Sequence, residues 1–268
     1  MEKKKVPDPE MKAKVRQAVQ KLRLMDDDFM RLCLQNNKPA VQLILRIILG
    51  KPNLEVQDVK TQMETKSPAG RGVRFDVWAR DGDAAYNIEI EKSDAGASAR
   101  RARYYCAMLD SGLLKPGADF DELVESYVIF ITEKDIFNEG RATYSYDRYC
   151  TETGKSLGDG SHIIYVNGRY RGEDAIGTLM SDFHCKNASQ MVYTELAERV
   201  RYFKEDIMGE KKMCKIIEDY GKECARESVA ENKAETARRM LADGLKQEKV
   251  AEYSGLTLEE VQKLAKEN

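Results

Sequence analysis

With 268 residues, the chain has room for one large domain, or for one domain and an appendage. A hydrophobic share of 42% is enough for a sizeable core, and 34% charged residues predict long solvated helices. The net charge of −2 excludes a basic coat over the whole surface and equally the strong acidity of a solvating or mimic protein, but leaves room for a local basic patch.

Residues 1–25 are basic and polar and read as a partly disordered or helical segment. They lack the apolar stretch of a signal peptide, and the longest apolar run, residues 40–49, is interrupted by Gln42 and Arg46 and is too short to span a bilayer. These features predict a cytoplasmic protein with no membrane partner. From Asp26 the pattern turns helical. Asp26, Asp27 and Asp28 suit a first turn, where carboxylates meet the helix dipole, and Phe29, Leu32 and Cys33 follow at helical spacing. A second helix over residues 38–49 is apolar nearly all round, with Pro39 near its start and Gly50 at its end, and so belongs in the core.

Strands follow. Residues 54–65 alternate loosely, and residues 73–79 and 85–91 are short, β-rich runs on either side of the turn signature Arg80-Asp81-Gly82-Asp83. Helical periodicity returns over residues 97–114 and is broken at Gly117-Ala118-Asp119. The continuous apolar run at residues 127–132 predicts a strand buried on both faces. Weaker strands, residues 142–149 and 162–166, flank a Gly/Ser-rich loop, and His162 at the start of the second reads as structural.

Further on, Val192, Leu196, Val200, Phe203 and Ile207 mark an amphipathic helix, and residues 210–242 are Lys/Glu/Ala-rich, as suits a long exposed helix or helical pair that could join copies of the chain. Residues 245–266 read as two short helices around Ser254-Gly255-Leu256, with Thr257 and Glu260 forming a capping box. The spacing is that of a helix-turn-helix. The second helix carries three glutamates, which phosphate would repel, so the pair reads as a packing or partner-binding appendage. The predicted organisation is a mixed α/β domain over residues 26–190 and an all-helical C-terminal extension over residues 191–268. The six cysteines are scattered with no C-x-x-C pair, which predicts small buried hydrophobes in a reducing compartment and not a disulfide framework.

Chemistry concentrates in the hairpin. Side chains on a strand alternate faces, so Asn87, Glu89 and Glu91 share one face of the second strand and Tyr86, Ile88 and Ile90 the other. In the first strand, Phe75 and Val77 take the apolar face and Arg74, Asp76 and Trp78 the opposite one. A turn about Gly82-Asp83 sets Asp76 directly across from Glu89; a turn about Asp81-Gly82 sets it across from Asn87, with Glu89 diagonal. Both registers bring Asp76 and Glu89 within reach of one cation. Paired carboxylates repel, and a divalent metal removes that repulsion; Mg2+ takes one or two carboxylates and leaves its other positions to water and phosphate. The plainer alternative is a solvated face on which Arg74 or Lys92 partners the glutamates.

The order of these motifs (R-F-D-V, then Y-N-I-E-I-E, a helix with R-R-A-R-Y-Y, the segment G-A-D-F-D-E-L and the strand Y-V-I-F-I-T) resembles the PD-(D/E)XK nuclease family transposases, related to the recombination-promoting nucleases, over about residues 22–168. The resemblance implies a restriction-endonuclease-like mixed sheet flanked by helices, and Mg2+-dependent DNA cleavage with Mn2+ as a substitute ion. It makes Asp76 the first acidic ligand and Glu89 the second, with Asp28 as an accessory. Glu91 falls where the wider fold has a catalytic lysine and these transposase-like members have glutamine; a glutamate adds a ligand, not a positive charge. Lys92 is on the wrong face to substitute, so Arg101 is the candidate for that charge. Arg100, Arg101, Arg103 and Tyr104 on the following helix are candidate DNA contacts, or else, with Tyr105, they neutralise the hairpin and pack in the core.

Overall fold

The computed structural model describes residues 9–65, 70–92, 96–206, 208–209, 212–213 and 232–266. The chain divides into two compact units, one of Arg16–Glu210 and one of Lys211–Asn268 with Met1–Val15.

The first helix, α1 (Pro9–Lys21), belongs to the larger unit from Arg16 on, and there α2 (Asp27–Leu34) leads into α3 (Lys38–Leu49). In α3 the Asn37 side chain accepts from the Ala40 N–H, Pro39 sits in the first turn, and Gly50 closes the helix at φ 63°, where a Cβ would be strained. As its all-round hydrophobicity predicts, Ala40, Val41, Ile44 and Leu45 are fully buried. Next come β1 (Asp58–Thr65), β2 (Val73–Arg80), β3 (Ala84–Glu91), α4 (Ala99–Leu113), β4 (Glu125–Thr132), β5 (Thr143–Tyr146), β6 (Ser161–Asn167), α5 (Ala175–His184) and α6 (Thr194–Glu205).

The six strands form one sheet in the order β1-β2-β3-β4-β6-β5. β3, β4 and β6 run parallel at its centre, and β1, β2 and β5 pair antiparallel towards the edges. The parallel β3–β4 pair needs a crossover, and α4 supplies it. Beneath α4 lie Trp78, Ala85, Val128, Phe130 and Tyr165 with Ala102, Cys106 and Leu109 of the helix. Residues of the other parity, Tyr86, Ile88, Ile129 and Ile131, are equally buried and face away from α4. The helices α2, α3, α5 and α6 pack on one another, with α2 also on β1 and β2. The expected mixed sheet flanked by helices is present.

Local expectations shift in three places. The amphipathic helix begins at Thr194, so Val192 precedes it and is exposed, while Leu196, Val200 and Phe203 are buried and Ile207 lies outside the described residues. Cys33 and Cys106 are buried, but Cys150 is exposed and Cys185 half-exposed; all of these are free, and Cys214 and Cys224 lie outside the described residues. Phe75 joins Trp78 under α4, although simple alternation puts them on opposite faces.

In the smaller unit, helices at residues 232–242, Gln247–Ser254 and Leu258–Lys266 meet around Ala237, Val250 and Val261. The capping box is formed: the Thr257 hydroxyl accepts from the Glu260 N–H at 3.3 Å, and the Glu260 carboxylate accepts from the Thr257 N–H at 2.7 Å. Most of the Lys/Glu/Ala-rich segment lies outside the described residues. Among those described, no helix is long and apolar enough to cross a membrane.

Candidate metal and DNA site

The β2–β3 register pairs Val77 with Ile88 and Trp78 with Asn87, so the hairpin turns about Gly82-Asp83 and its next pair would be Asp76 with Glu89. The ladder stops short of that pair. The Asp76 N–H donates to Glu89 Oε1 at 3.0 Å, and the Ile90 N–H donates to the Asp76 carboxylate. The β1–β2 ladder also lapses at Asp76, where Gln62 opposite takes a left-handed φ of 54°. Alternation therefore breaks at Asp76, which is how Phe75 and Trp78 come to share a face. Asp76 meets Arg31 of α2 and Glu89 meets Arg101 of α4.

Little of the pair meets water: the side chains of Asp76 and Glu89 are 13% and 1% exposed. Burial raises the pKa of each above the ordinary carboxylate range. Asp27 adds to the effect on Asp76, and Asp76 adds to that on Glu89. Burial also raises Asp27, with further contributions from Asp28 and Glu91. Two cations answer this charge. Arg31 lies 3.6 Å from Asp76 Oδ1 and 3.5 Å from Asp27 Oδ1. Arg101 reaches over from α4, with Nη2 at 2.8 Å from Glu89 Oε2 and Nη1 at 2.7 Å from Glu91 Oε2.

These groups line an open cleft of about 1290 Å3. Its wall carries Asp27, Asp76, Glu89 and Glu91, and also Arg31, Arg71, Arg74, Lys92, Arg100 and Arg101, with Tyr104 and Tyr105 alongside. The Tyr104 hydroxyl donates to the Arg71 carbonyl and so ties the segment before β2 to α4. Lys92 is turned to Asp26. Of the residues singled out from sequence, Asp76, Glu89, Glu91, Arg100, Arg101 and Tyr104 converge here. Arg103 is exposed on α4 and does not line the cleft, and Asp28 is exposed and paired with Arg31.

Sequence reasoning passed over Asp27, Arg31 and Arg71. At 100° per residue, Asp28 lies nearly opposite the buried stripe of Phe29, Met30, Cys33 and Leu34, whereas Asp27 lies on its flank. A helical wheel would therefore have chosen Asp27. His162 is built into the packing, stacked on Tyr127 at 4.5 Å with Nδ1 2.6 Å from Asp147.

A model of the PD-(D/E)XK nuclease family transposases matches residues 25–168. The chain belongs to that family. No curated protein and no solved structure matches it. The match ends one residue after β6, so it covers the whole hairpin, α2 and α4. Nucleases of the PD-(D/E)XK type are generally dependent on a divalent metal and act on DNA.

The residues of this family member fit such an ion. Among the described residues no group of three or more His, Cys, Asp or Glu is placed to hold a metal ion by itself. What is present is a buried carboxylate pair with raised pKa values and an open cleft in front of it. Mg2+ is held in that way, by one or two carboxylates with the remaining positions left to water and phosphate.

Proposed function

We propose that the chain is a metal-dependent DNA endonuclease using Mg2+, with Mn2+ as a substitute, and that it serves recombination or the movement of mobile elements. The observation that carries this reading is the Asp76–Glu89 pair, two buried like charges at the floor of a cleft whose rim is cationic. A sheet gains no stability from such a pair. Hydrolysis of a phosphodiester does gain from it, because the metal it holds acts as a Lewis acid on the phosphate and makes the attacking water more acidic.

In this reading Asp76 and Glu89 hold the ion, with Asp27 and not Asp28 closest at hand as an accessory. Arg74 and Arg100 meet the DNA backbone on the rim. Arg101 supplies the positive charge that the wider fold takes from lysine, held in place by Glu91. The C-terminal helices form a separate appendage suited to joining copies of the chain, and the working compartment is the cytoplasm.

The test is nicking of supercoiled plasmid in Mg2+ or Mn2+, with Asp76→Ala beside the wild type. Cleavage confined to the wild type and abolished by EDTA is expected. An equal rate in the variant would rule out this site. One observation favours a second reading, a nuclease fold that binds DNA without cutting it: Arg101 already occupies an oxygen of Glu89. Wild-type protein that shifts DNA in a gel yet never nicks it with either ion would support that reading.

A further inference from the structure

Glu89 offers two oxygens to a cation. Oε1 accepts from the Asp76 N–H at 3.0 Å, a backbone contact fixed by the fold, whereas Oε2 is the oxygen an ion can take by displacing a movable side chain. Arg101 Nη2 is already there, at 2.8 Å. The same guanidinium has a second set of contacts that do not involve Glu89. Nη1 lies 2.7 Å from Glu91 Oε2 and 2.8 Å from the Gly96 carbonyl, and Nη2 donates to the Tyr105 hydroxyl at 3.2 Å. The group also rests 4.9 Å from the Tyr105 ring and 5.5 Å from that of Phe130. A Cβ at Gly96 would fall inside the Glu91 carboxylate, so glycine there is what lets this carboxylate close on the guanidinium.

These contacts are asymmetric. One nitrogen of the fork holds the proposed metal ligand and the other holds a retaining site, so the first contact can be given up while the second is kept. We propose that Arg101 is the resident counter-cation of Glu89: a divalent ion displaces its Nη2 from Oε2, and Glu91 keeps the guanidinium at the rim, where it is free to meet a phosphate. Glu91 is then a positioning residue that acts through Arg101, and not a third metal ligand. Metal binding and the release of a phosphate-binding arginine become a single event. The inference rests on the metal reading above and goes beyond it by assigning an exchange to this chain's own side chains.

Calorimetric titration of the metal-free full-length protein with MnCl2 tests it. The charge-assisted contact to be broken predicts that Arg101→Gln binds Mn2+ on the order of tenfold more tightly than wild type. Glu91→Gln should stay within about threefold of wild type, and Arg74→Ala, which removes a cleft charge that does not touch Glu89, should change as little. Equal or weaker binding by Arg101→Gln overturns the exchange, as does tightening of the same size in Arg74→Ala. A large loss in Glu91→Gln would instead make Glu91 a ligand. Wild-type binding that Asp76→Asn abolishes keeps the metal reading whatever Arg101 does; no wild-type binding sinks both. A measurement on the wild type alone guards against a variant that fails to fold. Phenylglyoxal should modify Arg101 several-fold faster with Mn2+ than with EDTA, and an unchanged or slower rate refutes the exchange.

Discussion

Replacing Asp76 by asparagine should stabilise the metal-free protein while destroying its use of metal. The side chain is 13% exposed, and its carboxyl is pushed up from 3.8 to about 6, by burial first and by Asp27 second. At about 1.4 kcal/mol per unit, ionising it in the fold costs up to about 3 kcal/mol, and relaxation around Arg31 makes about 1–3 kcal/mol the expected range. The folded pKa lies above the unfolded one. The carboxyl's contribution to stability is therefore full below about pH 4 and is lost as pH rises through about 6. Asparagine can still accept from the Ile90 N–H and carries no charge. In EDTA at pH 8 the variant should melt higher than wild type by roughly 2–12 °C, at about 2–4 °C per kcal/mol for a unit of this size, and the gain should vanish at pH 4. Added Mn2+ should raise the melting temperature of the wild type but not of the variant. A variant that melts lower than wild type at pH 8, or that is still stabilised by Mn2+, would refute the reasoning.

Two further predictions concern the rim and the frame. Arg74→Ala should weaken DNA binding uniformly across sequences and lower the slope of log K against log salt by about 1, measured by fluorescence anisotropy, if one phosphate contact is lost. Lys204 is 3% exposed, and its ammonium donates to the carbonyls of Leu22 at 2.6 Å, Lys186 at 2.5 Å and Gln20 at 3.3 Å. Lys204→Met strands those carbonyls and should destabilise the sheet unit by about 2–4 kcal/mol in urea unfolding.

Much of the arrangement could be read from patterns that repeat at a fixed period. The turn chemistry of Gly82-Asp83 offered the register that sets Asp76 against Glu89, and the apolar run ending at Thr132 marked the parallel strand beside it. The all-round hydrophobicity of α3 marked a core helix. What escaped depended on departures from those periods. Alternation fails at Asp76 because side-chain carboxylates replace rungs of the ladder there, and no residue type signals that failure. The choice between Asp27 and Asp28 turned on about 80° of helix rotation relative to the buried stripe. Arg101's place between Glu89 and Glu91 depends on Gly96, a position whose lack of a side chain carries meaning only once the fold brings it against Glu91.

The ammonium of Lys204 has a consequence for where this protein can be cut. The family pattern ends at residue 168, but the carbonyls of Gln20 and Leu22, just ahead of the acidic turn at Asp26 and Asp27, are fastened by a residue of α6. Phe29 of α2 also packs on Phe203, the neighbour of that lysine. A fragment trimmed to the recognisable motif would keep every acidic side chain of the cleft and lose the fastening that aims one of them. The smallest working piece is therefore set by a latch downstream of the motif, and domain-swapped or truncated forms of the chain should be judged by whether they keep it.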